Sequence, residues 1–187
     1  MDSNDNLTIP GRGETTHVSV IDKDMNCASV TTTNGEGCGY ILPGTGIMLN
    51  NMLGEEDLNP LGFHKWSHSM RLPTMISPSI LMKDGKPFLI IGSGGSNRIR
   101  SALVQVIINF IVRGIALEEA IRAPRIHFEG NDLYFEPGIE IFPDDIPDFI
   151  SLHPFEEKNL FFGGVNAVTL NEGHSDPRRG GTFEIVD

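Results

Sequence analysis

Alternation of polar and apolar positions sets in at residue 15. Thr16 to Ile21 alternates and is β-branched, which predicts a strand. Asp22 to Asn26 reads as a turn, and Ala28 to Thr33 as a second strand, so a hairpin begins almost at Thr15. A glycine-dense loop follows from Asn34 through Gly46, and residues 50–75 have little periodicity. Ser79 to Met82 and Phe88 to Ile91 flank the turn Lys83-Asp-Gly-Lys86 and predict a second hairpin. Its second strand runs into Gly92-Ser-Gly-Gly-Ser-Asn97. From Arg98 to about Arg113 apolar residues recur at helical spacing: Ile99, Ala102, Leu103, Val106, Ile107, Phe110 and Ile111. Val104, Ile108 and Val112 fill much of the other side, so this helix is expected to be buried on most faces.

The remainder is less regular. Leu117 to Ala123 reads as a short amphipathic helix stopped by Pro124. Asp132 to Glu136 and Asn166 to Leu170 read as strands, Asp144 to Leu152 as a short helix, and Thr182 to Val186 as extended chain. Hairpins followed by packed helices predict α+β layers. Residues 1–14, polar and carrying Pro-Gly-Arg-Gly, read as a leader ahead of one domain spanning 15–187.

Composition narrows the functional classes. Fourteen Lys plus Arg against 25 Asp plus Glu leave a formal net charge of −11, which argues against a nucleic-acid partner. The acidic, polar amino terminus is unlike a signal peptide, so no compartment is assigned. Cys27 and Cys38 lie in no metal or redox spacing and read as free thiols. His64 and His68 are four apart, but in a segment with Pro60 and turn residues, so no metal or other cofactor is expected. Asp176 and the arginines beside it read as a surface salt-bridge patch.

Two segments have chemical potential. Ser93-Gly-Gly-Ser-Asn97 joins a strand to a helix start, where backbone N–H groups can bind an anion, hold an oxyanion or simply cap the helix. It lacks the Gly-Lys-Ser/Thr of a phosphate loop. Thr15 stands at the head of a strand. Cleavage of the bond before it would give it a free α-amino group, with an ordinary pKa of about 7.7–8.0. Nucleophile and base would then share one residue. Without that cut, Thr15 and Thr16 are β-formers opening a strand.

Taken in order, these segments resemble the small subunit of the γ-glutamyltranspeptidase family. The likeness is carried by Thr15-Thr-His-Val-Ser-Val-Ile-Asp-Lys-Asp24, Pro43 to Asn51, Glu55-Glu-Asp57, Ser77-Pro78, Lys83 to Pro87, Gly92-Ser93, Arg98-Ile99, Ala123-Pro-Arg125 and Asp176-Pro-Arg178. The resemblance implies half of a four-layer αββα amino-terminal-nucleophile hydrolase sandwich, and a precursor that cuts itself between Glu14 and Thr15. It implies hydrolysis or transfer of γ-glutamyl groups through an acyl-enzyme on Thr15, with a large subunit as partner. By position, Thr33 matches the threonine that orients the nucleophile, and Gly95 and Ser96 match the tandem glycines whose N–H groups form the oxyanion hole. Glu55 matches the aspartate that holds the substrate α-ammonium, Thr74 and Met75 match a Ser-Ser pair for the α-carboxylate, and Asn34 stands one residue before the family's site-lining amide. An N–H donor at Ser96 needs no glycine unless φ is positive. Met75 lacks a hydroxyl, Met52 replaces a Gln or Glu, and Leu58 to Met70 is too short for a lid, which opens the site to larger amides. A cephalosporin-acylase type of amidohydrolase and a non-catalytic fragment are the alternative readings.

Overall fold

The computed structural model describes residues 15–35, 37–142, 144 and 146–186; the expected leader 1–14 lies outside them. Strands β1 (Thr15–Ile21) and β2 (Cys27–Thr33) form an antiparallel hairpin in which Thr15 pairs with Thr33. Strands β3 (Ser79–Lys83) and β4 (Lys86–Gly94) form the second hairpin. Its turn residues Asp84 and Gly85 take φ values of 51° and 76°, the left-handed pair that a tight two-residue hairpin turn needs. Helix α1 (Arg98–Ile107) passes into a π-helical turn, Ile108–Val112, and is followed by α2 (Leu117–Arg122). Strands β5 (Ile126–Glu129), β6 (Asp132–Phe135) and β7 (Ser151–Pro154) make a three-stranded sheet. Strands β8 (Gly164–Val168) and β9 (Gly173–Ser175) complete a four-stranded sheet in the order β3-β4-β8-β9.

Strand alternation sorts the central sheet into two faces. Leu89 and Ile91 of β4, with Val165 and Ala167 of β8, pack under Ile99, Ala102, Leu103 and Val106 of α1 and Leu117, Ala120 and Ile121 of α2. Gly92 and Gly94 point the other way and receive the β1–β2 hairpin: a Cβ on Gly92 would lie 2.1 Å from the His17 ring. Three layers result: hairpin, sheet, helices. The hairpin meets the sheet with its polar face. His17 shares hydrogen bonds with Thr31 Oγ (2.7 Å) and Ser19 Oγ (2.8 Å), Ser29 Oγ donates to the Ile91 carbonyl, and Asn166 Nδ2 donates to the His17 carbonyl. Its apolar positions Val18, Val20 and Val30 are left outside, each at least half exposed.

Three expectations need correction. Helix α1 is not buried on most faces, because Val104, Ile108, Ile111 and Val112 form an exposed stripe on the side away from the sheet. The helix expected over Asp144 to Leu152 does not form over residues 146–152. A turn closes from Pro147 to Ile150, and Ser151–Pro154 pairs in parallel with β6 as β7, which satisfies its backbone in a ladder. Thr182 to Val186 joins no ladder; it passes β9, where Ser175 Oγ donates to the Thr182 carbonyl and the His174 ring lies 5.2 Å from Phe183.

Asp176 is not at the surface. It is 1% exposed and belongs to a buried four-residue ionic network with Arg125, Arg178 and Glu136. Arg178 grips both oxygens of Glu136, while Asp176 accepts from Arg125, from Arg178 and from the Val165 N–H. Burial alone would lower an arginine pKa, and it does so for Arg125 despite Asp176. For Arg178 the bonds to Glu136 and Asp176 outweigh burial and raise it.

Candidate active site

Strand β1 presents Thr15 at its first position, facing the sheet, and its Oγ donates to Thr33 Oγ at 3.0 Å. The two residues are a direct cross-strand pair, so the hairpin register itself delivers the second hydroxyl. Thr33 Oγ also accepts the Gly35 N–H at 3.0 Å, which fixes its remaining geometry. Gly94 closes the other side. A Cβ there would sit 2.5 Å from the Thr15 carbonyl oxygen, so only glycine allows β4 this near.

After Gly94 the chain turns. Gly95 has φ 130° and packs on Gly163, whose Cα would be 2.7 Å from a Gly95 Cβ. Ser96 has φ 52°, so its N–H is presented from the left-handed region after all; that conformation costs an L-residue about 1 kcal/mol. Ser96 Oγ donates to Asp57 Oδ2 at 2.8 Å. Asn97 Nδ2 donates to Glu129, and Arg98 donates through Nε to the Phe161 carbonyl at 3.2 Å while lying 4.7 Å over its ring. Arg98 has its pKa lowered by burial, against the pull of Glu129, Asp57 and Glu55.

The segment after the glycine loop completes the surround. Asn51 Oδ1 and Glu55 Oε1 would lie 2.5 and 2.9 Å from a Cβ on Gly35. Asn59 is buried; its side chain holds this segment by donating to the Leu53 and Glu55 carbonyls, and accepts from Trp66 Nε1. The contacts thus run from Thr15 to Thr33, Gly35, Asn51 and Glu55, on through the backbone to Asp57, then to Ser96, Gly95 and Gly94, and return to Thr15.

Six of the eight expected residues stand in this ring or border it: Thr15, Thr33, Asn34, Glu55, Gly95 and Ser96. Asn34 enters by its backbone, since its carbonyl accepts the Asn51 N–H at 3.0 Å. Among the described residues, no hydrogen bond joins Thr74 or Met75 to this ring. Thr74 Oγ accepts the Ile76 N–H, and Met75 packs against the helix–sheet core. They lead into β3 at the end of the sheet where β4 delivers Gly94. No group of three or more His, Cys, Asp or Glu among the described residues could hold a metal ion, and no described helix is long and apolar enough to cross a membrane.

The profile of the γ-glutamyltranspeptidase family matches residues 2–186. The chain belongs to that family. It corresponds to the carboxy-terminal, small-subunit region. The glutathione hydrolase proenzyme of Bacillus subtilis strain 168 is 32% identical over 93% of this chain and 29% of its own length. The Acylase ACY 1 proenzyme of Pseudomonas sp. strain SE83 is also 32% identical, over 84% of this chain and 28% of its own. The chain thus spans about three-tenths of the length of these relatives. Among solved structures, the γ-glutamyltranspeptidase of Pseudomonas nitroreducens complexed with L-DON superposes with a TM-score of 0.76 at 27% identity, covering 92% of this chain and 100% of that one. The α+β fold is accordingly half of the family's sandwich.

Sequence reading missed three members of the site. Gly94 is the backbone wall against Thr15; the density of glycine in 92–95 carried that signal. Asn51 belonged to a recognised motif but was given no role, and Asp57 was read only as acidic continuation. Only tertiary contact joins Asp57 to Ser96, 39 residues away.

Proposed function

We propose that this chain is the nucleophile-bearing half of a γ-glutamyl hydrolase/transferase acting on glutathione and related γ-glutamyl amides. The observation that carries the reading is the Thr15 Oγ–Thr33 Oγ bond at 3.0 Å, set against the Gly94 backbone beside a turn of glycines. In the precursor the Thr15 nitrogen is an amide. Cutting the bond after Glu14, so that 1–14 leaves the domain 15–187, converts it to the amine that serves as base. Thr15 Oγ then attacks the γ-carbonyl, its proton passing to the α-amine and on to the leaving amine. The Gly95 and Ser96 N–H groups take the oxyanion, and Glu55 takes the substrate ammonium. Water or an acceptor amine releases the acyl group from the ester. Thr74, Met75 and Asn34 line the substrate side.

The large half is the proposed partner, and the outward apolar face of the hairpin supports it. Val18, Val20 and Val30 form a surface that water does not favour and a second layer would cover. An acylase reading stays as second, favoured by Met75, a thioether where a hydroxyl would bind an α-carboxylate.

The test is co-production with a large half from the same precursor. Mass spectrometry is expected to find a new amino terminus at Thr15, and γ-glutamyl anilide is expected to turn over faster than glutaryl anilide. Thr15→Ala is expected to abolish the cut and lower turnover by about 10³-fold or more. A variant that still cuts and turns over sinks the proposal; faster glutaryl turnover favours the acylase.

A further inference from the structure

We infer that the Ser96 hydroxyl and the Asp57 carboxylate form a latch that holds the oxyanion turn to the segment carrying Glu55, making Asp57 a positioning residue for acyl transfer. The inference rests on the reading of Gly95 and Ser96 as oxyanion donors.

Position 96 is left-handed, with φ 52°, a conformation glycine adopts freely and serine does not. A glycine there would hold its N–H direction unaided. The serine β-carbon makes the same direction costly, and its Oγ offsets that cost by donating to Asp57 Oδ2 at 2.8 Å, a bond strengthened by the carboxylate charge. The turn geometry therefore depends on where Asp57 is.

Asp57 is itself firmly placed. It lies in the helical turn Glu56–Leu58, next to buried Leu58 and Asn59. Asn59 Nδ2 donates to the Glu55 carbonyl at 2.6 Å, so Glu55 and Asp57 move as one unit. On its far side the turn is anchored separately, by Asn97 to Glu129 and by Arg98 to the Phe161 carbonyl. The latch ties the turn to the donor-binding segment, whereas those two contacts tie it to β5 and the 160–162 turn. Displacement of the Glu55 segment would be felt directly at the Ser96 N–H.

A double-mutant cycle tests this in the enzyme assembled with its large half. Asp57→Ala, Ser96→Gly and the combination are measured for kcat and KM with γ-glutamyl anilide, and for thermal midpoint. Asp57→Ala alone is expected to lower kcat about 10-fold and change KM less than about 3-fold, as loss of a transition-state interaction does. In the Ser96→Gly background the same change is expected to cost less than about 2-fold, because glycine holds the turn without help. Asp57→Asn keeps an acceptor oxygen and is expected to recover most of kcat. Equal losses in both backgrounds, or a loss confined to KM, overturn the inference. A wild type that turns over no γ-glutamyl amide overturns the functional reading instead; additive midpoints in the cycle then overturn the latch as well, and non-additive ones uphold it.

Discussion

His17 shows how one side chain senses its surroundings. It sits on Gly92 with both ring nitrogens engaged by hydroxyls, and burial lowers its pKa from 6.5 to about 4. The unfolded chain takes up a proton near pH 6.5, whereas the folded chain takes it up only near pH 4. Stability is therefore full above pH 6.5 and falls as pH drops from 6.5 towards 4, by on the order of 2–3 kcal/mol from this residue. Urea unfolding at pH 7.5, 6 and 5 reads it, and His17→Gln is expected to flatten the slope. It will not vanish, because burial also lowers the pKa of His127. Thr15 was legible as a strand-opening residue, and the role proposed for it came from resemblance. The acidic partner of Ser96 was not, because hydrogen bonds between remote segments leave no periodicity to read.

At the scale of elements, the two hairpins and α1 followed from spacing, since periods of two and of 3.6 leave direct traces. The four-residue ionic network did not. In sequence Arg125, Glu136, Asp176 and Arg178 look like ordinary surface charges; in the fold they pin the α2 end, the β5–β6 unit, β8 and the turn after Asp176 together. Two arginines and two carboxylates balance. Removing one member strands the rest, so Arg178→Met is expected to destabilise the protein by about 3–5 kcal/mol, seen as a large drop in thermal midpoint. The exposed Arg122–Glu118 pair is the contrast: Glu118→Ala is expected to change stability by less than about 1 kcal/mol.

Over the whole molecule, the unusual feature is a hairpin with polar residues inward and valines outward. The inner groups meet hydrogen-bond partners, so the arrangement is satisfied on that side and open on the other. The stripe Val104, Ile108, Ile111 and Val112 adds a second exposed apolar surface among the described residues. Replacing Val18 and Val30 together by Asp is expected to reduce self-association of the lone chain, read by sedimentation. It is also expected to weaken capture of the large half by about 10-fold or more. Unchanged capture would put the partner on another face.

The sequence by itself determined the local periods, the turns that need left-handed residues and, through ordered motifs, the family. Those are properties of neighbouring residues, written along the chain. Which face of each period is covered, that Asp176 lies inside, and that Asp57 reaches Ser96 were decided only by the tertiary structure. Burial and long-range hydrogen bonding depend on which surfaces meet, and a one-dimensional pattern does not contain that choice.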